Sequence, residues 1–373
     1  MRRAGMTLLA LAALLAACAP AAAPAAAPSA VGGTTGAAAP SDAAAYRQRV
    51  IDGARAEGEV NILLSSIWTP ETLQLLEAAV EREYGVGLKI NRTPSTNYGA
   101  HAAQLMSELQ AGATPSYDLH QSSDASSSLL IQADALEPVD WAALLPAGTP
   151  PEVVQGDGRV LVTYTSFNGI MYDPAVVPAS AVPRSLKDLA DPRWRGKVML
   201  AASPDIHLPY VYEWGHDPAL ATLRAVIANG ATTGTFFDQQ NRYTAKEVAM
   251  IEVSSLIYAS ARQRGIPGEF TLLDFADTTS HHLSVPRRAA HPNAAKLLAA
   301  VIAGPEGQRI AAEYIGAGNR YYDGTWEQRL MAQANATGLP TFSWWTEPGA
   351  LDFLLSPGGE DVKKEINTIL QGG

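Results

Sequence analysis

Val60-Asn61-Ile62-Leu63-Leu64-Ser65-Ser66-Ile67-Trp68-Thr69-Pro70 passes from an apolar run to two serines and then to a helix start. Residues 60–64 are rich in strand formers. Thr69 suits an N-cap, with Pro70 at the first helical position, where a missing N–H costs nothing. Leu73, Leu76, Val80 and Tyr84 then recur at helical spacing, and Gly85-Val86-Gly87 ends the stripe. Leu88-Lys89-Ile90 reads as a second strand, 98–109 as a second helix and 117–120 as a third strand, with another helix opening at Asp124. Strands alternating with helices of this length define βαβ units and a mostly parallel sheet.

Such a sheet receives ligands outside the carboxyl ends of its strands, where loops meet helix N-termini. Ser65-Ser66 and Ser122-Ser123 both fall on that edge, and their hydroxyls beside exposed helix N–H groups suit an anion or polar ligand oxygens. N-capping is the plainer role for a serine at a helix start.

Working outward, the N-terminus has a different character. Arg2 and Arg3 precede an apolar stretch over 6–15, too short for a membrane span but of export-signal length. Cys18, the only cysteine, closes Leu15-Ala16-Ala17-Cys18, which matches the bacterial lipobox. The expectation is a signal peptide over 1–17, lipidation at Cys18 and a flexible Ala/Pro-rich tether over 18–43. Without the signal, 25 basic residues face 37 acidic ones, a formal −12. That balance argues against nucleic acid as a partner, and a lipidated cysteine leaves no thiol for a disulfide or thiolate metal site. The roughly 330 residues beyond the tether exceed what one core serves, so two lobes are expected.

Four separated stretches then converge on one family. They are Asn168-Gly169-Ile170-Met171-Tyr172-Asp173-Pro174, the run from Leu186 through Asp191-Pro192-Arg193-Trp194-Arg195-Gly196-Lys197 to Val198, Lys246-Glu247-Val248-Ala249-Met250, and Ala290-His291-Pro292-Asn293-Ala294-Ala295-Lys296-Leu297 followed by Gly304-Pro305-Glu306-Gly307-Gln308. In order and spacing the chain resembles the periplasmic solute-binding proteins of ABC importers, in the branch that includes the ferric-iron binders. The resemblance implies an α/β, two-lobed periplasmic-binding-protein-like fold of type II, each lobe a mixed sheet flanked by helices, with the ligand cleft between lobes. It places lobe 1 at 44–158 and 285–335 and lobe 2 at 159–284, with 336–373 packing on the outside of one lobe. It also implies an ABC permease as membrane partner, a monomer, and a location in the periplasm or at the cell surface.

Ferric binders of that branch carry adjacent tyrosines shortly after the Glu-Val entry, and here those positions hold Leu256 and Ile257. Neither coordinates a metal, and Tyr258 alone would make a poor ferric site. Tyr321-Tyr322 reads as packing, and His281-His282, pointing to opposite faces of a strand, as one exposed and one partly buried residue. No cofactor and no metal is expected. The polar candidates are Ser65, Ser66, Ser122, Ser123, Ser166 and Asn168 as donors and acceptors, with Asp124, Asp205 and Glu252 for an amine or sugar hydroxyls. Trp68 offers a ring to stack on a solute or else belongs to the core, Trp194 reads as a packing anchor and Arg242 as a surface ion pair. A small polar or charged organic solute fits this set better than free iron. A ferric or metal-complex binder is the alternative, and an adhesive lipoprotein or an enzyme on the same fold stands further off. Against catalysis, the chain has no Gly-x-Ser-x-Gly elbow, P-loop or His-Glu-x-x-His.

Overall fold

The computed structural model describes residues 42–65, 67–95 and 97–372. The lipobox, Cys18, the tether as far as residue 41, and Ser66 lie outside the described residues. The strands are β1 (Glu59–Ser65), β2 (Lys89–Ser95), β3 (Leu119–Ser123), β4 (Val154–Gln155), β5 (Val160–Tyr172), β6 (Val198–Ala201), β7 (Thr232–Gly234), β8 (Met250–Ser254), β9 (Glu269–Thr271), β10 (Ala276–Ser284) and β11 (Thr341–Ser343). They form one hydrogen-bonded sheet in the order β2-β1-β3-β10-β5-β8-β6-β7, with β11 beside β10 and both β4 and β9 beside β5.

Two strands tie the halves of this sheet together. The first half of β5 pairs antiparallel with β10 from Leu161 to Phe167, and its last residues pair with β8 from Asn168 to Tyr172. β10 in turn pairs antiparallel with β3, bringing His281 opposite Ser123. In one half β1, β2 and β3 are parallel, and in the other β6, β7 and β8 are parallel. The register makes the carboxyl ends of both parallel sets meet beside residues 164–168 of β5 and 277–281 of β10. Gly169 sits just past this seam, where an added Cβ would run into the Thr271 carbonyl and the Phe270 ring.

A separate core underlies each half. The first gathers Val60, Ile62, Leu64, Leu76, Leu161 and Val162 around helix Pro292–Ala303, in which every residue from Ala294 to Ala303 is buried. A helix apolar all round belongs inside a protein. Its alanines allow close approach, and the one charge, Lys296, pairs with Glu137 at 2.7 Å. The second core gathers Leu186, Leu189, Trp194, Leu200, Tyr210 and Phe275, together with Phe342, Trp344, Ile366 and Leu370.

Several local expectations match. Thr69 caps helix Pro70–Tyr84 by accepting the Thr72 N–H, and left-handed Gly85 ends it. Trp194 is a buried anchor with the Arg193 guanidinium 5.7 Å from its ring centre. Others are corrected. Helix Asp42–Glu57 precedes the first strand, so residues 42 and 43 of the expected tether form its first turn, and Val50 and Ala54 enter the first core. The third strand runs two to three residues later than 117–120. Within the C-terminal section Phe342 and Trp344 are buried in the second core, and helix Pro357–Leu370 packs on that core through Ile366, Ile369 and Leu370.

Candidate functional site

Cross-strand partners share a face of a sheet. At the seam Tyr164 lies opposite His281 and Ser166 opposite Thr279, while Asn168 and Ile170 face Ser254 and Glu252 of β8. Asn168 Nδ2 donates to Asp277 Oδ2 at 2.7 Å. Ser166, Asn168 and Glu252, three of the residues singled out from sequence, therefore share one polar strip spanning both halves, joined by Asp277, Thr279 and His281.

Helix starts surround the strip. Asn97 caps helix Tyr98–Gln110, Thr235 caps Phe236–Thr244 and Ser254 caps Ser255–Gln263, each accepting a backbone N–H through its side chain. Ser255 also accepts the Phe167 N–H of β5. Ser123 is the N-cap residue of helix Asp124–Gln132 but makes no side-chain cap bond. Asp124 follows it, 2 % exposed, with Oδ2 accepting the Ser280 N–H. On the second half, Glu252 Oε2 accepts the Ala201 N–H at 3.0 Å and lies 3.5 Å from His207 Nε2.

The electrostatics follow from burial. Desolvation pushes the Asp124 and Asp277 carboxyls up to about 7, opposed at Asp124 by the Ser280 N–H and the Arg320 charge, and at Asp277 by the Asn168 amide. Arg320 reaches Thr278 Oγ1 at 3.2 Å and the Tyr321 hydroxyl at 2.9 Å, its guanidinium 5.0 Å from that ring's centre. His281 stacks on Tyr164 with centroids 4.2 Å apart and meets the Tyr98 ring at 6.0 Å. Burial lowers His281 to about 4, so this ring is neutral at pH 7. The Tyr164 hydroxyl accepts from Gln121, whose carbonyl oxygen takes the Ser65 N–H.

The remaining sequence candidates divide. Ser65 and Ser123 are partly exposed at the strand ends beside the strip. Ser122 is fully buried and bonded to Ser127 Oγ, so it packs. Trp68 is 1 % exposed in the first core and offers no ring to a solute. Asp205 stands on a short turn after β6, largely exposed and 3.3 Å from Lys363, and does not join the strip. His282 is fully buried and His281 partly so, against the expected exposed one, because β10 is a central strand between β3 and β5. Arg242 forms the surface pair read for it, with Glu247 at 2.8 Å, and Tyr322 packs with its hydroxyl on the Ala303 carbonyl. Leu256 and Ile257 are partly buried against apolar clusters. Sequence reasoning missed Asp277, Thr279, Tyr98, Tyr164 and Arg320. The alternation of Asp277, Thr279 and His281 along one strand was the available signal.

Residues 77–319 match the bacterial extracellular solute-binding protein family, and the chain belongs to it. No curated protein matches the sequence. Among solved structures, the chain is similar to the substrate-binding protein of an ABC transporter from Agrobacterium tumefaciens at 15 % identity and TM-score 0.65, covering 84 % of this chain and 94 % of that one. It is similar to the spermidine/putrescine ABC transporter substrate-binding protein PotD of Streptococcus pneumoniae at 14 % identity and TM-score 0.64, covering 84 % and 98 %. Iron-bound HitA of Pseudomonas aeruginosa is similar at 16 % identity and TM-score 0.62, covering 83 % and 99 %. At these identities the likeness is one of fold: a two-lobed α/β periplasmic binding protein.

Proposed function

We propose that this protein captures a small polar or charged organic solute between its two lobes and presents it to the permease of an ABC importer. The observation that carries the reading is the convergence of both sets of parallel strand ends on one polar strip of the crossing strands. Lobe 1 would comprise 44–158 and 285–335 and lobe 2 159–284, with Ser65, Ser123, Asp124, Ser166, Asn168 and Glu252 among the ligand contacts. Free ferric iron is disfavoured because Leu256 and Ile257 supply no ligand atoms at the positions where the resembling branch carries tyrosines. The tether and a lipid on Cys18 would hold a monomer at the outer face of a membrane, in the periplasm or at the cell surface. Family membership supports an extracytoplasmic location, and among the described residues no helix is long and apolar enough to cross a membrane.

Solute bridging both lobes would favour a closed form, the state a permease recognises. The test is a thermal-shift screen of the mature protein against metabolites and metal complexes. A true solute at 100 times its Kd should stabilise the fold by about 2.7 kcal/mol. Small-angle scattering should show a smaller radius with that solute present. An unchanged radius would count against closure, and turnover of a screened compound would favour an enzyme.

A further inference from the structure

Beside the two crossing strands the chain passes between the halves a third time. Ile315 and Ala317 belong to the first core, and Tyr321 and Tyr322 pack against it. Trp326, at the start of helix Trp326–Thr337, packs instead on the cluster of Met171, Ile251 and Val253 in the second half, its ring centre 5.7 Å from that of Tyr258. Leu330 and Ala334 of the same helix pack with Phe167. Between these points the chain is bonded to β5. The Gly318 carbonyl accepts the Thr165 N–H at 2.9 Å, and the Arg320 N–H donates to Thr165 Oγ1 at 3.0 Å. Asn319, fully buried, donates to the Val162 carbonyl at 3.0 Å.

Glu327 lies across this passage. It is 1 % exposed, and its carboxyl sits so close over Gly318 that an added Cβ there would run into it. Among the described residues Oε1 has no hydrogen-bonding partner, and neither has the buried indole N–H of Trp326 next to it in the chain. A buried carboxylate short of donors is costly, whereas the protonated acid is tolerated. The surroundings supply little charge to offset that cost. β5 presents Thr165 and Phe167, Arg320 is turned to Thr278 and Tyr321, Asp323 is exposed, and Arg264 is bonded to Gln240. Arg262 and Glu269 act on Tyr258. Burial pushes the Glu327 carboxyl up to about 7, opposed by its own backbone N–H and by exposed Arg329, the one side-chain charge among the described residues that acts on it.

We propose that Glu327 is a proton-operated latch on this third passage: protonated, it lies dry against Gly318 and fixes the first half to helix Trp326–Thr337; ionised, it draws water in and frees the halves to turn on each other. Neither core rearranges, because Gly318 moves with Thr165 in the first half of β5 and Glu327 moves with Trp326 on the second half. A carboxyl that leaves the contact returns to its ordinary value. A latched molecule therefore keeps a proton that an unlatched one loses between about 4.5 and about 7. The contact weakens as pH rises through that window and levels off above it, so the freedom of the hinge follows pH.

The experiment is hydrogen exchange of the mature protein, read by mass spectrometry on peptides spanning 163–167 and 316–330 and corrected for the intrinsic pH dependence of exchange. Between pH 6 and pH 8 the corrected rate in both peptides should rise about ten-fold. Glu327→Gln should retain the circular dichroism spectrum and exchange at one corrected rate across the range. Should it fail to fold, Glu327→Met, of similar size and with nothing to ionise, should do the same. A corrected rate that stays flat in the unaltered protein, or that rises as steeply in the variant, would overturn the latch. No solute enters this measurement, so the solute-binding reading stands or falls separately.

Discussion

Two neighbouring histidines mark two very different sides of the same strand. His281 meets Tyr164 and Tyr98 on a polar, partly open side, with serine, asparagine and carboxylate groups at the strand ends. His282 meets Ser127 and the Trp345 ring, 4.9 Å away, on a side closed by apolar residues. The C-terminal segment does the closing. Trp344 packs into the second core against Tyr212, Phe342 and Phe353, while Trp345 packs against the cluster of Ala102, Leu105 and Leu130 beside β3. Adjacent tryptophans thus reach into different cores, and Lys363, Glu365 and Leu370 anchor the segment's end to Asp205, His216 and Thr233. A seam that must admit a solute is polar on one side, and the apolar packing that holds the halves together is kept on the other.

The largest expected effect falls on the closed side. Trp344→Ala removes a buried aromatic ring and should cost about 3–5 kcal/mol in urea unfolding; a cost under 1 kcal/mol would show that the C-terminal segment is not integral to the second core. Next come the buried carboxyls of the seam, read through pH. Asp124 and Asp277 hold their protons up to about pH 7 when folded and release them near 4 when unfolded. Folding therefore takes up protons between those values, and stability falls as pH rises through the window. His120, lowered to about 4, with His281 and His282, lowered to about 4 and 3, acts oppositely: the unfolded chain binds those protons first, so stability is lost as pH drops below 6.5. The two sets oppose each other between pH 4 and 6.5, and above it the contribution of the histidines fades before that of the acids. Stability from these groups should peak near pH 6.5 and decline by about 0.5 kcal/mol toward pH 8. The double variant Asp124→Asn/Asp277→Asn should flatten that decline, and a slope unchanged in it would remove these carboxyls as its cause.

Trp345→Ala comes third, at about 1–2 kcal/mol, since this ring is only partly buried. Because it touches the first half rather than the second core, it should also widen the difference in scattering radius between free and solute-bound protein; an identical difference would deny it any hold on the hinge. Arg242→Ala is the smallest, below about 0.5 kcal/mol by thermal melting, because its pair with Glu247 is largely exposed. A loss above 1 kcal/mol there would contradict the reading of a solvated surface pair.

Much of this molecule was legible in its residues, and the failures are local. The Val60–Tyr84 unit was readable because strand formers, a Thr-Pro cap and a 3.6-residue stripe all agree. Helix Asp42–Glu57 escaped because alanine-rich sequence with few large apolar residues resembles the spacer before it; only packing against Pro292–Ala303 shows its purpose. Ser166, Asn168 and Glu252 were picked for their chemistry, and strand register then brought them together. Asp205 and Ser122 were picked on the same grounds, and the fold sent one to the surface and the other into a buried hydroxyl pair. Asp277 drew no notice because an aspartate within a Thr/Ser/His strand carries no mark of its depth.

Local chemistry by itself determined the alternating elements, their caps and turns, and the family, since these depend on neighbours in the chain. Which polar groups meet was decided only in three dimensions. That choice rests on how β5 and β10 pair across more than a hundred residues of separation, a relation set by the packing of two cores and not by any short stretch.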